Sequence, residues 1–249
     1  MGKVIVMNVV TLDGVMQGPG RLDEDTRDGF AHGGWGTAYS DEAMVAKMGE
    51  RMGENRAFLF GRRTYEQLLA SWNARGGPFK DALNDTRKFV ASSNPATSLD
   101  WPNSTLLHGD VPAAVADLRV SSTTNLVIMG SGVLIGSLMA ADVIDEYLLM
   151  IAPLVLGTGR RLFPAGLQAS LRLVDSVTTR TGVVMATYER AHGENPGGVP
   201  AHVSSTDPRL CGASISGGSG GLSRFQRRTY GGRRGRSGDD LDHRSGQPS

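Results

Sequence analysis

Three short stretches carry residue types that suit an anionic ligand: Gly61-Arg62-Arg63-Thr64, Ser92-Ser93 and Gly130-Ser131-Gly132. Each follows an apolar run that reads as a β-strand. The first and third place glycine just before an expected helix N-terminus, where unpaired backbone N–H groups and the helix dipole favour phosphate. Arg62 and Arg63 add forked cationic donors, and Thr64 and the serine pair add hydroxyls. A single Gly-x-Gly is common, and an arginine after a strand is usually solvated. Three such stretches at successive strand ends point to one crevice, because open α/β sheets bind ligands beyond the carboxyl ends of their strands. The ligand class is a dinucleotide. A 2′-phosphate bears about −1.5 to −2 charges, as phosphate monoesters do, and wants Arg where NAD would want an acid. Ser92-Ser93 has no neighbouring Asp or Glu, which favours NADPH over NADH.

The elements that must position these groups follow from periodicity. Residues 3–10, KVIVMNVV, read as a buried strand bounded by Asp13-Gly14. The polar segment 17–39 is longer than an ordinary connection and reads as a functional lid or mobile loop. Ser40 is the expected N-cap of a helix over 41–53, with Asp41 and Glu42 in its acidic first turn and Met44, Met48 and Met52 on one apolar stripe. Strands are expected at 57–60, 88–91, 104–108 and 125–129, and helices from Arg62, from an Asp110 cap to Arg119, and over 133–140. Three further strands, near 146–153, 170–177 and 183–190, are joined by loops or hairpins, with a turn at Thr181-Gly182. Alternating strands and helices predict an α/β fold with a mainly parallel sheet and antiparallel strands at the C-terminal edge.

The ordered series Thr11-Leu12-Asp13-Gly14, LFGRRTYE (59–66), KFVASS (88–93), LVIMGSG (126–132) and IDEYLLMIAPLVLGTGRRLF (144–163) resembles the dihydrofolate reductase superfamily. Within it the chain is most similar to the C-terminal reductase domain of riboflavin biosynthesis, through Leu-Asp-Gly after the first strand and Ala-Pro-x-x-x-Gly at 152–157. The resemblance covers about residues 3–190 and implies a three-layer α/β/α fold. It also implies hydride transfer from NADPH to a heterocyclic small molecule, most like 5-amino-6-(5-phosphoribosylamino)uracil. A dihydrofolate or pterin reductase, and a nucleotide-binding protein without turnover, are the alternative readings.

By the same resemblance, Gly61, Arg62, Arg63 and Thr64 grip the phosphates, and Ser92 and Ser93 lie by the 2′-phosphate. Gly130, Ser131, Gly132, Val133 and Leu134 pass beneath the pyrophosphate and nicotinamide, while Val9 and Gln17 border the nicotinamide ring. Relatives carry a glycine pair where this chain has Gly130-Ser131. Asp41 and Glu42 fall near the position of the folate-reductase carboxylate and are the candidate catalytic acids, although both also suit a helix first turn. Asp13 would position substrate or stabilise the lid turn, and Trp35 would stack on a planar ring or pack. His32 and His108 have no spaced partner, so no metal site is expected.

Composition divides the chain. Residues 1–192 hold 18 Lys+Arg against 20 Asp+Glu, and 193–249 hold 8 against 5. A near-neutral first part argues against nucleic acid as main partner, although the Gly-spaced arginines from Arg224 to Arg236 could touch RNA weakly. The second part holds 13 of 34 glycines and no apolar periodicity. It is expected to be a disordered tail beside a reductase domain at 1–192. Cys211 is the single cysteine, so no internal disulfide can form. With no signal-peptide layout and no run of the roughly 20 apolar residues that span a bilayer, the expectation is a cytoplasmic protein, compatible with a homodimer.

Overall fold

A computed structural model describes residues 1–191; the tail expectation falls outside them. In chain order the elements are β1 (Val4–Thr11), α1 (Glu42–Met52), β2 (Arg56–Gly61), α2 (Arg62–Arg75), α3 (Pro78–Asp85) and β3 (Lys88–Ala91). There follow β4 (Ser104–Leu107), α4 (Val111–Ser121), β5 (Asn125–Met129), α5 (Gly132–Ala140), β6 (Glu146–Ala152), β7 (Leu171–Thr178) and β8 (Val184–Arg190). The sheet order is β4-β3-β2-β5-β1-β6-β8-β7. The first six are mutually parallel, and β8 and β7 close the far side antiparallel. Between Leu173 and Asp175 the edge strand β7 shifts register against β8.

The β-branched run of β1 explains the layering. Val4, Val6 and Val10 point to the face covered by α4 and α5, and Ile5 and Met7 to the face covered by α1, α2 and α3. Apolar residues on both faces are the signature of a strand sandwiched between helix layers. The methionine stripe of α1 packs as expected, with Met44 and Met52 buried and Met48 against the same cluster. Asp110 caps α4 by accepting from the Ala113 N–H at 3.1 Å. No helix among the described residues is long and apolar enough to cross a membrane.

Two features depart from the sequence reading. The cap of α1 is Asp41, whose Oδ1 accepts the Met44 N–H at 2.9 Å, and Ser40 lies outside the helix. Helix α3 was not foreseen, because its eight residues carry too few apolar positions to show a period; Pro78 starts it and Thr86 is its C-cap. Lys88 is fully buried on β3, and its Nζ donates to the carbonyls of Leu83, Asn84 and Thr86 at 2.5, 3.2 and 2.7 Å. Burial pushes its ammonium down to about 8, yet those carbonyls would otherwise be buried C-terminal orphans. Lys88→Ala should cost about 2–3 kcal/mol. For a domain of this size that is roughly 5–10 °C in melting temperature, measured by calorimetry; a shift under 2 °C would mean water replaces the ammonium.

Candidate functional site

The parallel strands bring the three chemistry-bearing stretches to one edge of the sheet. There β2, β3 and β5 end at a cleft of about 1120 Å³. Strand β2 passes without a loop into α2, so Gly61 is both strand end and helix cap, and the α2 N-terminus has no side-chain cap bond. After β5 the chain reverses through two left-handed residues, Gly130 (φ 62°) and Ser131 (φ 60°), and enters α5, likewise without a side-chain cap bond. Glycine is required at 130 for a second reason: a Cβ there would sit 2.9 Å from the Thr64 methyl. A non-glycine left-handed residue costs on the order of 1–2 kcal/mol, so Ser131 must be held.

It is held on every side. The Ser131 hydroxyl accepts from the Gly61 N–H at 3.0 Å and donates to the Met129 carbonyl at 3.2 Å, and its N–H donates to Thr64 Oγ1 at 3.0 Å. From β1, the buried Asn8 side chain takes both sides of the neighbouring peptide. Its Oδ1 accepts from the Gly130 N–H at 2.7 Å and its Nδ2 donates to the Gly130 carbonyl at 3.3 Å. Asn8 escaped the sequence reading; the available signal was one amide inside the run KVIVMNVV.

All thirteen residues read as cofactor contacts line this cleft: Val9, Gln17, Gly61, Arg62, Arg63, Thr64, Ser92, Ser93, Gly130, Ser131, Gly132, Val133 and Leu134. Their side chains are not equally available. Arg62 is paired with Glu66 at 2.8 Å, whereas Arg63 makes no ion pair among the described residues. Ser92 Oγ is occupied by Thr97 Oγ1 at 2.7 Å and by the Asn94 N–H, closing the turn after β3. Gln17 is buried, with its amide turned to backbone groups. On the other side of the cleft the lining is apolar: Met48 of α1, Leu68 and Trp72 of α2, Met129 and Met150 of the sheet. Beyond them Arg75 lies over the Trp72 ring at 4.7 Å.

The four other residues singled out are not among those lining the cleft. Asp41 is held below the ordinary carboxylate range, first by the Met44 N–H, as befits a helix cap. Glu42 occupies the first turn of α1. The inward positions of that helix are methionines, and Met48, its residue on the cleft, lies nearly two turns beyond both carboxylates. Carboxylates that do line it among the described residues are Glu24 and Asp25. Glu24 Oε2 accepts the N–H groups of Gly20 and Arg21, and Asp25 pairs with Arg27. Trp35 donates its Nε1–H to the Gln17 carbonyl at 2.8 Å.

Asp13 ties its own turn to the loop after β6. Its carboxylate accepts from the Thr11 hydroxyl at 2.6 Å and from the N–H groups of Leu156 and Gly157 at 3.2 and 2.8 Å. The Thr11 bond first, then the two N–H groups against a desolvation cost, hold it at about 2.

With these geometries in place, the protein class is defined: a dihydrofolate-reductase-like α/β fold with a cleft at its strand ends. The chain matches the RibD C-terminal domain over residues 2–185 and belongs to that family. Among solved structures it is similar to a putative riboflavin biosynthesis protein from Shewanella sp. PV-4, with 24% identity over 77% of this chain and 99% of that one, TM-score 0.55. It is also similar to a pyrimidine reductase-like protein from Corynebacterium diphtheriae, with 10% identity over 77% and 93%, TM-score 0.53. A third is a diaminohydroxyphosphoribosylaminopyrimidine deaminase/5-amino-6-(5-phosphoribosylamino)uracil reductase from Thermotoga maritima, with 12% identity and TM-score 0.52. The likeness covers 76% of this chain and 57% of that one. Dihydrofolate reductase from Enterococcus faecalis, complexed with NADP(H), shares the fold at 17% identity over 76% and 96%, TM-score 0.50. No curated protein matches the chain.

Two outcomes follow. Asp41→Ala removes an N-cap worth about 1 kcal/mol, or roughly 2–4 °C in melting temperature, and should leave ligand affinity unchanged in calorimetry. A large affinity loss would return Asp41 to the site. Because Asp13 is depressed, its contribution is complete above about pH 4 and disappears as pH falls through about 2. The melting-temperature gap between wild type and Asp13→Asn should therefore be widest above pH 4 and close towards pH 2; a gap that widens on acidification contradicts this.

Proposed function

We propose that residues 1–192 form a cytoplasmic NADPH-dependent reductase acting on a flat heterocyclic small molecule. The phosphoribosylaminopyrimidine of riboflavin synthesis is the nearest named substrate. The observation that carries this reading is the convergence on one cleft, at the ends of β2 and β5, of two helix N-termini without a side-chain cap bond and of Arg63, which makes no ion pair among the described residues. Such an arrangement offers backbone N–H donors to a pyrophosphate and, in Arg63, a cation to the 2′-phosphate. The Ser131 hydroxyl is turned to Gly61 and Met129, leaving the first N–H groups of α5 to a ligand.

The residues present therefore fit the cofactor. Arg62, Arg63 and Ser93 would meet its phosphates, and Gly130 to Leu134 with Val9 would border its reactive end. When bound, the reduced nicotinamide supplies a hydride. The chain's own task is to orient two ligands and exclude water. The cleft exceeds the roughly 300–1,000 Å³ of ordinary single-ligand pockets, so a dinucleotide and a second ring can lie side by side. The second ring would rest against Met48, Leu68, Trp72 and Met150.

The folate or pterin alternative draws no support from the lining, since neither α1 nor α2 contributes a carboxylate to it. Protonation of the reduced product is then left to water or to the substrate. The test is titration calorimetry with NADPH and NADH, followed by absorbance at 340 nm with candidate substrates. Loss of one charge-assisted contact costs on the order of 1.5–3 kcal/mol, so NADPH should bind at least tenfold more tightly, and Arg63→Ala should erase most of that margin. Equal affinities in wild type would overturn the assignment of the 2′-phosphate contacts.

A further inference from the structure

The segment expected to be a mobile lid is tied down, and the tie runs through one side chain. Gln17 is 3% exposed. Its Nε2 donates to the carbonyls of Asp25 and Arg27 at 3.2 and 3.0 Å, while its Oε1 accepts the Arg160 N–H at 2.9 Å. Its own carbonyl accepts the Trp35 indole N–H at 2.8 Å. Four bonds from one residue thus join the middle of the lid, the loop after β6 and the short 3-10 turn at Trp35–Tyr39. The side chain must offer two donors on one atom and an acceptor on the other, at the reach of two methylenes. Glutamine alone meets that description.

The tied segment forms one wall of the cleft, to which Gly18, Pro19, Arg21, Glu24, Asp25 and Arg27 contribute. Its base is fixed as well: the Gly18 carbonyl accepts from the Gly34 N–H at 2.7 Å and the Pro19 carbonyl from Gly36 at 2.9 Å. Phe30, buried at the far end of the lid, lies directly on Gly159 (φ 111°), where a Cβ would meet its ring at 2.7 Å and Val15 at 2.8 Å. The lid therefore packs onto the backbone of the loop after β6. Inside this assembly the buried amide of Gln17 is the polar link that a ligand on the cleft side would find holding the wall.

We propose that Gln17 is a positioning residue: its amide latches the lid as a fixed wall of the cleft, and retention of the bound ligand depends on that latch. The retention part rests on the cofactor reading above; the latch itself does not. The experiment uses the full chain with Gln17→Glu, which keeps shape but turns an acceptor towards the two lid carbonyls, and Gln17→Met, which keeps length without polarity. Trp35→Phe, which removes one bond of the four, serves if neither glutamine variant folds. Brief trypsin treatment is read by mass spectrometry at Arg21 and Arg27 in the lid, with Arg75 at the end of α2 as internal reference. Stopped-flow fluorescence gives NADPH association and dissociation rates.

The expected result is cleavage at Arg21 and Arg27 about tenfold faster in either glutamine variant, and about threefold faster in Trp35→Phe, with Arg75 unchanged. NADPH dissociation should rise about tenfold while association stays within twofold. Unchanged cleavage at the lid, or an equal rise at all three arginines, would overturn the latch. Selective lid cleavage with an unaltered NADPH dissociation rate would overturn its role in retention. Failure of the wild type to bind NADPH would remove the cofactor reading and the retention role, and leave the latch to stand or fall on the cleavage pattern.

Discussion

The site depends on one reversal of the chain, at Gly130-Ser131, and on the two strands and one helix that immobilise it. Two consecutive left-handed residues are unfavourable for a chain free to choose. Here Asn8 from β1, Gly61 from the end of β2 and Thr64 from the first turn of α2 each hydrogen-bond the reversal. Because β5 lies between β2 and β1 in the sheet, the two neighbours reach it from opposite sides. The loop thus sits at a depth fixed by sheet register. The α5 N-terminus that follows it inherits that depth, and so does any anion bound there.

This explains why the fold was legible in the sequence while half of the site was not. Strand-and-helix alternation is a local signal, and the runs KVIVMNVV and NLVIM announced central strands buried on both faces. The cleft-lining stretches were legible for the same reason: glycine, arginine and hydroxyl residues at strand ends depend only on knowing where each strand stops. Asn8 is different, and so are the hydrogen bonds of Gln17, which the resemblance placed only beside the nicotinamide. Their importance lies in partners 122 and 143 positions away, and no spacing rule relates them.

The candidate acids show a complementary limit. An aspartate before an apolar periodic segment is both a good helix cap and a plausible site carboxylate, and only the rotation of α1 about its axis decides between them. That rotation is set by Met44, Met48 and Met52 packing inward, which places Asp41 at the start of the helix with its carboxylate on the Met44 N–H. Trp35 shows the same pull towards the backbone. It stands among glycines, and its indole N–H is spent on the Gln17 carbonyl. In both cases a polar group was consumed locally by the backbone, the commonest fate of side-chain hydrogen-bonding capacity in folded proteins.

The register shift in β7 bears on how this chain coexists with its own copies. An eight-residue antiparallel strand at the rim of a sheet is a template for another strand, and Leu173, Val174 and Val177 on it are all substantially exposed. The irregularity falls between Leu173 and Asp175, and the Asp175 carboxylate there is drawn to Lys47 of α1 at 2.9 Å. A bulge and a fixed charge in mid-strand break the flat ladder into two short pieces. Neither is long enough to recruit a stranger by backbone pairing, so the apolar residues of the rim can be left in water without inviting open-ended stacking.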